Sequence, residues 1–416
     1  MDVIQASIPF FFVLIGLELL VARIRGQKLY RLNDSIADLS CGTASQLIGI
    51  FITLGTVTLY GVFQRHWSIQ TLFGAPAWIG GGLLSWGLAF VLDDLAYYWV
   101  HRYSHESNIL WAGHVVHHSS EEYNLTVALR QSSLHGLISW IFYMPLAMLG
   151  IPVTVWAGCH AINLIYQFWI HTREINRLPP PLEAVMNTPS HHRVHHGVNP
   201  QYQDRNYAGV FIIWDRLFGT FEPEVEEPVY GITKPLASWN PVWANLHLIR
   251  DIVRNARRAT RWRDRLRIVF GRPGWKPAAL GPSEVPRPVT PETYRKYDPI
   301  VPRSLKAYAT IQFAVIVVAS TWLLAKAAAL PVMQVMAGVF YLVLALSNIG
   351  AILEGRSWAA LSEFVRLLAL GAAVAVLVAA GRGPVPLLIG ALVFVAGSAG
   401  WILWLRPAFG PFPRPG

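Results

Sequence analysis

Residues 101–118 read HRYSHESNILWAGHVVHH and follow directly on the apolar run GGLLSWGLAFVLDDLAYYWV at residues 81–100. Five histidines are therefore crowded into eighteen residues at the point where a hydrophobic segment ends. Of the fourteen histidines in the chain, twelve lie between residues 101 and 196. This concentration of imidazole at the end of an apolar helix places the chemistry of the chain at a membrane boundary.

The composition of the chain is that of a membrane protein. Hydrophobic residues make up 53% of the 416 residues, charged residues only 14%, and the mean hydropathy is +0.38, which is too apolar for a soluble domain of this length. A helix needs about 20 apolar residues to cross the hydrocarbon core. Runs of this kind lie near residues 3–22, 36–62, 77–100, 309–329, 331–350, 362–380 and 384–405. The chain is predicted to be an all-α, polytopic membrane protein.

The apolar run at residues 137–170 is less regular than the others. Pro145 and the Gly150-Ile151-Pro152 sequence interrupt it near its middle. We therefore predict a helical hairpin that enters the membrane and returns, rather than a single span. His171, which follows the hairpin, would then lie on the side from which the hairpin enters.

The distribution of basic residues predicts the orientation. The loop after the first span carries Arg23, Arg25, Lys28 and Arg31, and the polar stretch at residues 171–308 holds most of the other basic residues. Because basic loops stay in the cytoplasm, both segments and the histidine clusters are predicted to be cytoplasmic. The host membrane, a bacterial inner membrane or the endoplasmic reticulum, stays open.

The net charge of +10 comes largely from residues 250–270, RDIVRNARRATRWRDRLRIVF. Arginines recur there at helical spacing, with apolar residues between them. This pattern favours one basic amphipathic helix on anionic lipid headgroups over a nucleic-acid groove. A membrane and a lipid are the expected partners, and no nucleic acid is expected.

Four parts are predicted along the chain. They are an N-terminal transmembrane region (1–75), a catalytic core (76–250), a basic helix with a Pro-rich connector (251–308) and a C-terminal four-span region (309–416). Proline density in the connector, GRPGWKPAALGPSEVPRPVTPETYRKYDP, argues against regular structure there.

The histidines form clusters with the spacing of one helix face. A pair four residues apart is followed by two triplets spaced i, i+3, i+4. The three clusters are His101 and His105; His114, His117 and His118; and His192, His195 and His196. His191 adds a second i, i+4 pairing with His195, and His171 lies where the hairpin returns. All ten side chains are predicted to converge at one membrane depth.

A metal centre explains so many imidazoles in one place. Without a metal, packed imidazoles would leave buried polar groups unsatisfied and would repel one another when protonated. Structural zinc sites take four ligands and usually include thiolate, whereas eight or more nitrogen ligands match two metals with positions open for oxygen. Imidazole suits iron, copper, zinc and nickel, so the ligand type alone does not choose. A di-iron, oxygen-activating centre in a cytoplasm-facing core is the favoured interpretation.

Metal-bound imidazoles need acceptors for their second N–H group. Asp94 lies seven residues, about two helical turns, before His101 and so faces the same way. A carboxylate inside an apolar run is costly and usually functional. Glu121 and Asn124 follow the second cluster closely. We predict catalytic roles for Asp94, Glu121 and Asn124.

The boxes HRYSH, HVVHH and HRVHH resemble those of the fatty acid hydroxylase and sterol desaturase superfamily of integral-membrane di-iron oxygenases. Longer stretches are similar to the alkylglycerol monooxygenase family within it. They include WAGHVVHHSSEEYNLTVALRQS, YQFWIHTREIN, NTPSHHRVHHGVNP and RNYAGVFIIWDRLFGTFE. The likeness covers most of the chain.

The resemblance implies a membrane monooxygenase with two iron ions that hydroxylates the ether-linked carbon of alkylglycerol lipids with dioxygen. The hemiacetal product breaks into a fatty aldehyde and a glycerol derivative. Electrons in the family come from tetrahydrobiopterin, although this chain's own donor stays open. The family's ligand histidines carry over to the eight clustered residues, with His171 as a further match and His191 as a weaker one. Glu121 and Asn124 match the motif after the second box.

Two alternatives stay open at this stage. One is a hydroxylase or desaturase of a fatty acyl, sterol or carotenoid lipid, which the boxes alone do not exclude. The other belongs to a different class, a metal transporter or heme-handling membrane protein. A transporter would have metal-ligand side chains along a path across the membrane, whereas these clusters are predicted to lie together at one membrane boundary.

Overall fold

The computed structural model describes residues 3–77, 82–283, 289–290 and 292–413. These residues form helices and connecting segments, with two isolated bridges, Met186 to Phe211 and Gly197 to Tyr230, and no strand among them. The predicted all-α fold is confirmed. The chain divides into two units by its internal contacts. One holds residues 1–236 and 244–295, and the other holds residues 237–243 and 296–416.

The helices of the first unit are mostly short after the first two. They are α1 (Val3–Ile24), α2 (Leu32–Trp67), α3 (Ile69–Phe73), α4 (Leu83–Glu106), α5 (Asn108–His118), α6 (Leu125–Ala128), α7 (Gly136–Ser139), α8 (Met144–Met148), α9 (Val153–Trp169), α10 (Pro180–Val185), α11 (Pro189–His195), α12 (Ile213–Phe218), α13 (Pro241–Arg258, whose first three residues belong to the second unit) and α14 (Trp262–Phe270). The helices of the second unit are α15 (Arg303–Lys326), α16 (Val332–Leu353), α17 (Ala359–Ala379) and α18 (Val385–Leu405).

Six helical segments of the described chain are long and apolar enough to cross a membrane. They are Ala6–Ile24, Leu32–Phe73, Arg303–Ala329, Val332–Leu353, Ala359–Ala379 and Val385–Ala408. They match six of the seven predicted spans. The remaining prediction, residues 77–100, is not among them. It falls mainly on α4, where Asp93 and Asp94 lower the hydropathy, and residues 78–81 lie outside the described part.

The irregular run at residues 137–170 is broken where its sequence predicts. Helix α8 ends at Met148 and α9 begins at Val153. Gly150 between them has a φ of +85°, a left-handed conformation that glycine adopts without strain. Pro152 precedes the first turn of α9. Side chains on both sides of the break, among them Leu146, Ile151 and Trp156, are buried in one apolar cluster.

The basic segment at residues 250–270 differs from its prediction as one helix. It forms the end of α13 and all of α14, with a break at residues 259–261 where Arg265 Nε donates to Ala259 O over 3.0 Å. Ile252 and Ile268 are buried with Ala112 of α5. Part of the apolar face therefore packs inside the unit, because α5 supplies a protein surface for it.

The sequence predicts a finer division of the chain than the two units. Its four parts, 1–75, 76–250, 251–308 and 309–416, stay predictions. The connector of the third part is described only in pieces, since residues 284–288 and 291 lie outside the described residues.

Candidate metal centre

Nine of the ten predicted histidines lie together in two groups. The first group, the five-histidine group, is His101, His105, His114, His118 and His195. The second, the four-histidine group, is His117, His171, His192 and His196. One ring nitrogen of each member lies within 4.8 Å of those of every other member of its group. The groups adjoin, since the rings of His118 and His196 stack with their centroids 4.4 Å apart.

Local structure explains how the clusters meet. Helix α4 ends at Glu106, and Asn108 begins α5 immediately afterwards, with its backbone N–H donating to Gly271 O. The first pair therefore lies in the last turns of α4, and the first triplet lies in the second half of α5, which packs against α4. Helix α11 starts with Pro189 in its first turn, a favoured position because proline has no N–H to donate there. His171 lies two residues after Trp169, the last residue of α9.

Backbone carbonyls fix the tautomer of four of these rings. A carbonyl only accepts, so the ring nitrogen facing it carries the proton. Nδ1 of His101 donates to Tyr207 O (2.8 Å) and Nδ1 of His117 to Arg130 O (3.1 Å). In the same way, Nδ1 of His171 donates to a backbone carbonyl over 2.7 Å, and Nδ1 of His195 donates to another over 3.0 Å. In the neutral ring, Nε2 then offers a lone pair to the centre of the group.

Two of the inward nitrogens face each other with no proton to share. Nε2 of His117 lies 3.2 Å from Nε2 of His171, and both rings already donate through Nδ1. Their lone pairs would repel unless a cation lies between them. Two ligands at right angles, each about 2.1 Å from an ion, are about 3.0 Å apart. The spacings from His171 to His192 (3.0 Å) and from His101 to His114 (2.9 Å) agree with this value.

Burial keeps the rings neutral. It lowers the pKa of His171 to about 3 and that of His195 to about 4. The pKa values of the other seven members are also lowered well below the ordinary value, by burial first and then by neighbouring imidazoles. The buried Nε2 atoms of His105 and His196 have no hydrogen-bond partner among the described residues. Neutral rings with unused lone pairs are the form in which histidine binds a metal. The residues present therefore fit metal ions.

His191 lies outside both groups. Its Nε2 is 3.1 Å from Glu183 Oε2 and its Nδ1 is 3.3 Å from Thr188 Oγ1. Both ring nitrogens of His191 have partners outside the histidine groups, whereas its neighbour His192 belongs to the four-histidine group. His135 is also outside the groups, with its Nε2 3.1 Å from Ser104 Oγ.

Asp94 is fully buried and holds a loop. It accepts hydrogen bonds from the backbone N–H groups of Val210 (2.8 Å) and Phe211 (3.0 Å), from Trp214 Nε1 (2.9 Å) and from Asn163 Nδ2 (2.8 Å). The described hydrogen bonds join it to no histidine. Its contacts are those of a positioning residue for the loop after α11, and a catalytic role for it stays a prediction.

Glu121 and Asn124 also bond to the surrounding structure. Asn124 caps α6 by accepting from Thr126 N (2.9 Å), and its Nδ2 donates to Leu29 O (2.8 Å). Glu121 accepts from Tyr294 Oη (3.1 Å) and lies 3.5 Å from Arg31. These contacts give both buried side chains hydrogen-bond partners. Their predicted catalytic roles stay predictions.

Sequence reasoning missed Asp215. This buried carboxylate accepts from the backbone N–H groups of Tyr207 and Ala208, each over 2.8 Å, and from Thr220 Oγ1 over 2.7 Å. Tyr207 is the residue whose carbonyl accepts from His101. Asp215 therefore fixes an acceptor of the five-histidine group, and only its position in the short apolar stretch FIIWDRLF hinted at burial.

Arg130 is the second residue that sequence reasoning missed. Its guanidinium is buried and donates to Asp38 Oδ1 (3.0 Å) and Val116 O (2.8 Å). Its own carbonyl accepts from His117 Nδ1. An aspartate within the span of α2 was the available signal, because such a charge needs a partner.

Comparisons with known proteins agree with this geometry. A family model described as fatty acid hydroxylase matches residues 86–220, and one described as alkylglycerol monooxygenase C-terminal domain matches residues 305–379. The fold and the site thus define a membrane enzyme of the fatty acid hydroxylase class. No solved structure matches the chain at a significant level.

Three relatives place the chain more narrowly. Alkylglycerol monooxygenase from Homo sapiens is 42% identical over 373 residues, which cover 88% of this chain and 81% of the relative. The enzyme of the same name from Xenopus tropicalis is 39% identical with the same coverage. An ornithine lipid hydroxylase from Rhizobium tropici is 29% identical over 36% of this chain and 46% of its own. The chain belongs to the alkylglycerol monooxygenase family, and it is an oxidoreductase of the oxygen-dependent monooxygenase class.

Proposed function

We propose that this chain hydroxylates the ether-linked carbon of alkylglycerol lipids with dioxygen and so releases a fatty aldehyde and a glycerol derivative. The observation that carries the proposal is the pair of buried histidine groups in a chain that shares 42% identity with a human alkylglycerol monooxygenase. The match of residues 305–379 to the C-terminal domain of that family supports the same substrate class.

The five-histidine and four-histidine groups would each hold one iron ion. Bound iron supplies the binding and reduction of dioxygen that hydroxylation of a C–H bond requires. The protein's own task is to keep the ligand rings neutral and oriented. Burial keeps them neutral, and the carbonyls of Tyr207 and Arg130 orient two of them. Asp94 and Asp215 hold the loop that carries Tyr207. Trp111 lies against the five-histidine group, with its ring centroid 5.0 Å from that of His105, and gives that side an apolar surface.

The ether carbon suits this position chemically. The oxygen lone pairs next to it weaken its C–H bonds, so it is easier to oxidise than a carbon in the alkyl chain. The ether linkage of a membrane lipid lies near the headgroups, and the basic loops favour a centre at the cytoplasmic headgroup boundary. The enzyme would then be a multi-pass membrane protein that takes its lipid from the same membrane.

Each turnover needs two electrons from a donor. One oxygen atom of dioxygen enters the C–H bond, and the other leaves as water after taking up two electrons and two protons. We infer a tetrahydrobiopterin donor from the resemblance to the family. A tetrahydropterin supplies both electrons and both protons as it becomes a dihydropterin.

A product assay tests the proposal. The purified chain, loaded with iron, is given a 1-O-alkylglycerol, a tetrahydropterin and oxygen. The expected products are a fatty aldehyde and glycerol in equal amounts. Two iron ions per chain are expected by elemental analysis. A hydroxylated fatty acyl, sterol or carotenoid product, with the alkylglycerol left intact, would favour the alternative activity on those lipids.

A further inference from the structure

An open polar pocket lies beside the four-histidine group. Its volume is about 510 Å³, and it is lined in part by Arg173, Arg177, Arg193, Glu224, Glu227 and Tyr230. All of these residues belong to the first unit. The pocket is separate from the histidines themselves, and the proposed chemistry gives it no role so far.

The charges of the pocket are balanced. Arg193 makes a two-pronged contact with Glu224, with two N to O distances of 2.7 Å, and Arg173 pairs with Glu227. Glu226 also lines the pocket, so three carboxylates stand against three guanidinium groups. A site with no excess charge does not select a phosphate or another ion. It offers donors and acceptors to a neutral polar molecule.

Tyr230 supplies an unused polar group at this pocket. Its side chain is only 7% exposed, and its buried hydroxyl has no hydrogen-bond partner among the described residues. A buried hydroxyl without a partner costs free energy unless a ligand or water satisfies it. A molecule in the pocket that reaches this hydroxyl would therefore gain a hydrogen bond.

Two stacked rings connect the pocket with the four-histidine group. The ring of Tyr230 stacks on that of Tyr123, with centroids 4.7 Å apart and planes at 16°. The ring of Tyr123 in turn lies 5.7 Å from that of His171 and 5.3 Å from that of His196. These rings therefore form a continuous series of contacts from the pocket to the histidines.

We propose that this pocket binds the electron donor, a neutral planar heterocycle of the tetrahydropterin class, and that the Tyr230 and Tyr123 rings connect the donor to the four-histidine group. The inference rests on the proposed function, since it gives a place to the donor of that reaction. The donor loses two electrons and two protons per turnover and becomes a dihydropterin. The same electrons and protons reduce the second oxygen atom to water.

Binding to the full chain loaded with iron(II), without oxygen and without alkylglycerol, tests the pocket without any turnover. Tetrahydropterin is titrated anaerobically into the chain in lipid nanodiscs, and the heat of binding gives the Kd. Tyr230→Phe keeps the ring stack but removes the hydroxyl, so a roughly fivefold to tenfold weaker Kd is expected. Tyr103→Phe on α4, outside the pocket, is the matched control and is expected to bind within twofold of the original chain.

A second pair of variants tests the ring path. Tyr123→Leu removes the stacked ring, whereas Tyr123→Phe keeps it. Both are expected to bind the donor normally, but oxidation of the bound donor in a single turnover is expected to slow at least tenfold in the leucine variant only. Iron per chain is measured in both, so that a lost metal is not mistaken for a lost path.

Two results would overturn the inference: an unchanged Kd in Tyr230→Phe, or unchanged donor oxidation in Tyr123→Leu. A chain that makes aldehyde and shows either result keeps its proposed function and loses this site. A chain that binds the donor through Tyr230 but makes no aldehyde from alkylglycerol loses the proposed function and keeps the site. The two failures are therefore distinguishable.

Discussion

Two buried polar clusters in this protein differ in how completely their hydrogen-bonding groups are paired. In the C-terminal unit, Glu363 is fully buried and accepts from Tyr308 (2.7 Å), Asn348 (2.6 Å) and Arg366 (2.8 Å), and Arg366 also donates to Gln312 (2.7 Å). In the N-terminal unit, nine imidazoles bring ring nitrogens within 4.8 Å of one another inside their two groups, and some buried ring nitrogens have no hydrogen-bond partner among the described residues.

The difference separates a structural network from a binding site. In the Glu363 cluster each charge meets its opposite and each hydroxyl or amide finds a partner, so the cluster is complete without a ligand. The histidine groups are complete only with cations. Buried charge in a membrane helix is a functional signal by default, and the count of unused lone pairs decides whether a ligand is needed.

The sharpest test uses two neighbouring histidines. His192 belongs to the four-histidine group, whereas His191 has partners on both ring nitrogens. His192→Gln is expected to lose at least one iron ion per chain and more than about 100-fold in turnover, because it removes a proposed metal ligand. His191→Gln is expected to keep both irons and most of the turnover. Elemental analysis and the aldehyde assay measure both, and equal losses in the two variants would contradict the division into groups.

The opposite outcome is expected for the Glu363 cluster. Glu363→Gln leaves the buried Arg366 charge uncompensated, so the free energy of unfolding should fall by about 3–5 kcal/mol. Denaturant unfolding in micelles measures this change, and iron per folded chain should stay constant. The double variant Glu363→Met, Arg366→Met removes both charges and should recover most of the stability. A stable Glu363→Gln variant that has lost turnover would make this cluster a functional site.

The histidine clusters could be predicted from sequence because they depend on local spacing. Spacings of i, i+3 and i+4 place side chains on one helix face whatever the rest of the chain does. The backbone partners of Asp94 could not be predicted, because they lie on a loop more than 100 residues away in the chain. The role of Asp215 could not be predicted either, because it depends on the contact between Tyr207 and His101, which are 106 residues apart. Local pattern shows that a buried carboxylate needs donors, but it does not show which backbone groups supply them.

The break in the basic segment shows the same limit. Its arginine spacing predicts a helix correctly on both sides of residues 259–261. The spacing does not predict that Ile252 and Ile268 pack against α5. Amphipathicity shows that a face will be covered, and only the tertiary structure distinguishes a lipid surface from a protein surface.

Asp215 tests whether the histidine groups depend on their surroundings. Asp215→Asn replaces an acceptor of two backbone N–H groups by an amide with one acceptor oxygen. The loop at Tyr207 should loosen, and iron affinity should fall about 10-fold to 100-fold, the usual effect of changing a residue behind a metal ligand. Competition with a chelator measures the affinity. Arg216→Lys, the neighbouring change outside this contact, serves as the control, and an unchanged affinity in Asp215→Asn would show that His101 does not depend on this loop.

His135 provides the smallest effect, because it lies near the five-histidine group without belonging to it. Burial lowers the pKa of His135 to about 4, whereas the unfolded chain has the ordinary value near 6.5. Between these values the unfolded state binds a proton that the folded state does not, so folding stability falls as the pH falls from about 6.5 to 4, by up to about 1.4 kcal/mol per pH unit. His135→Asn should remove this one-proton contribution from the slope of unfolding free energy against pH while leaving the iron content unchanged. An unchanged slope would mean that His135 is protonated in the folded chain, and a loss of iron would place it among the ligands.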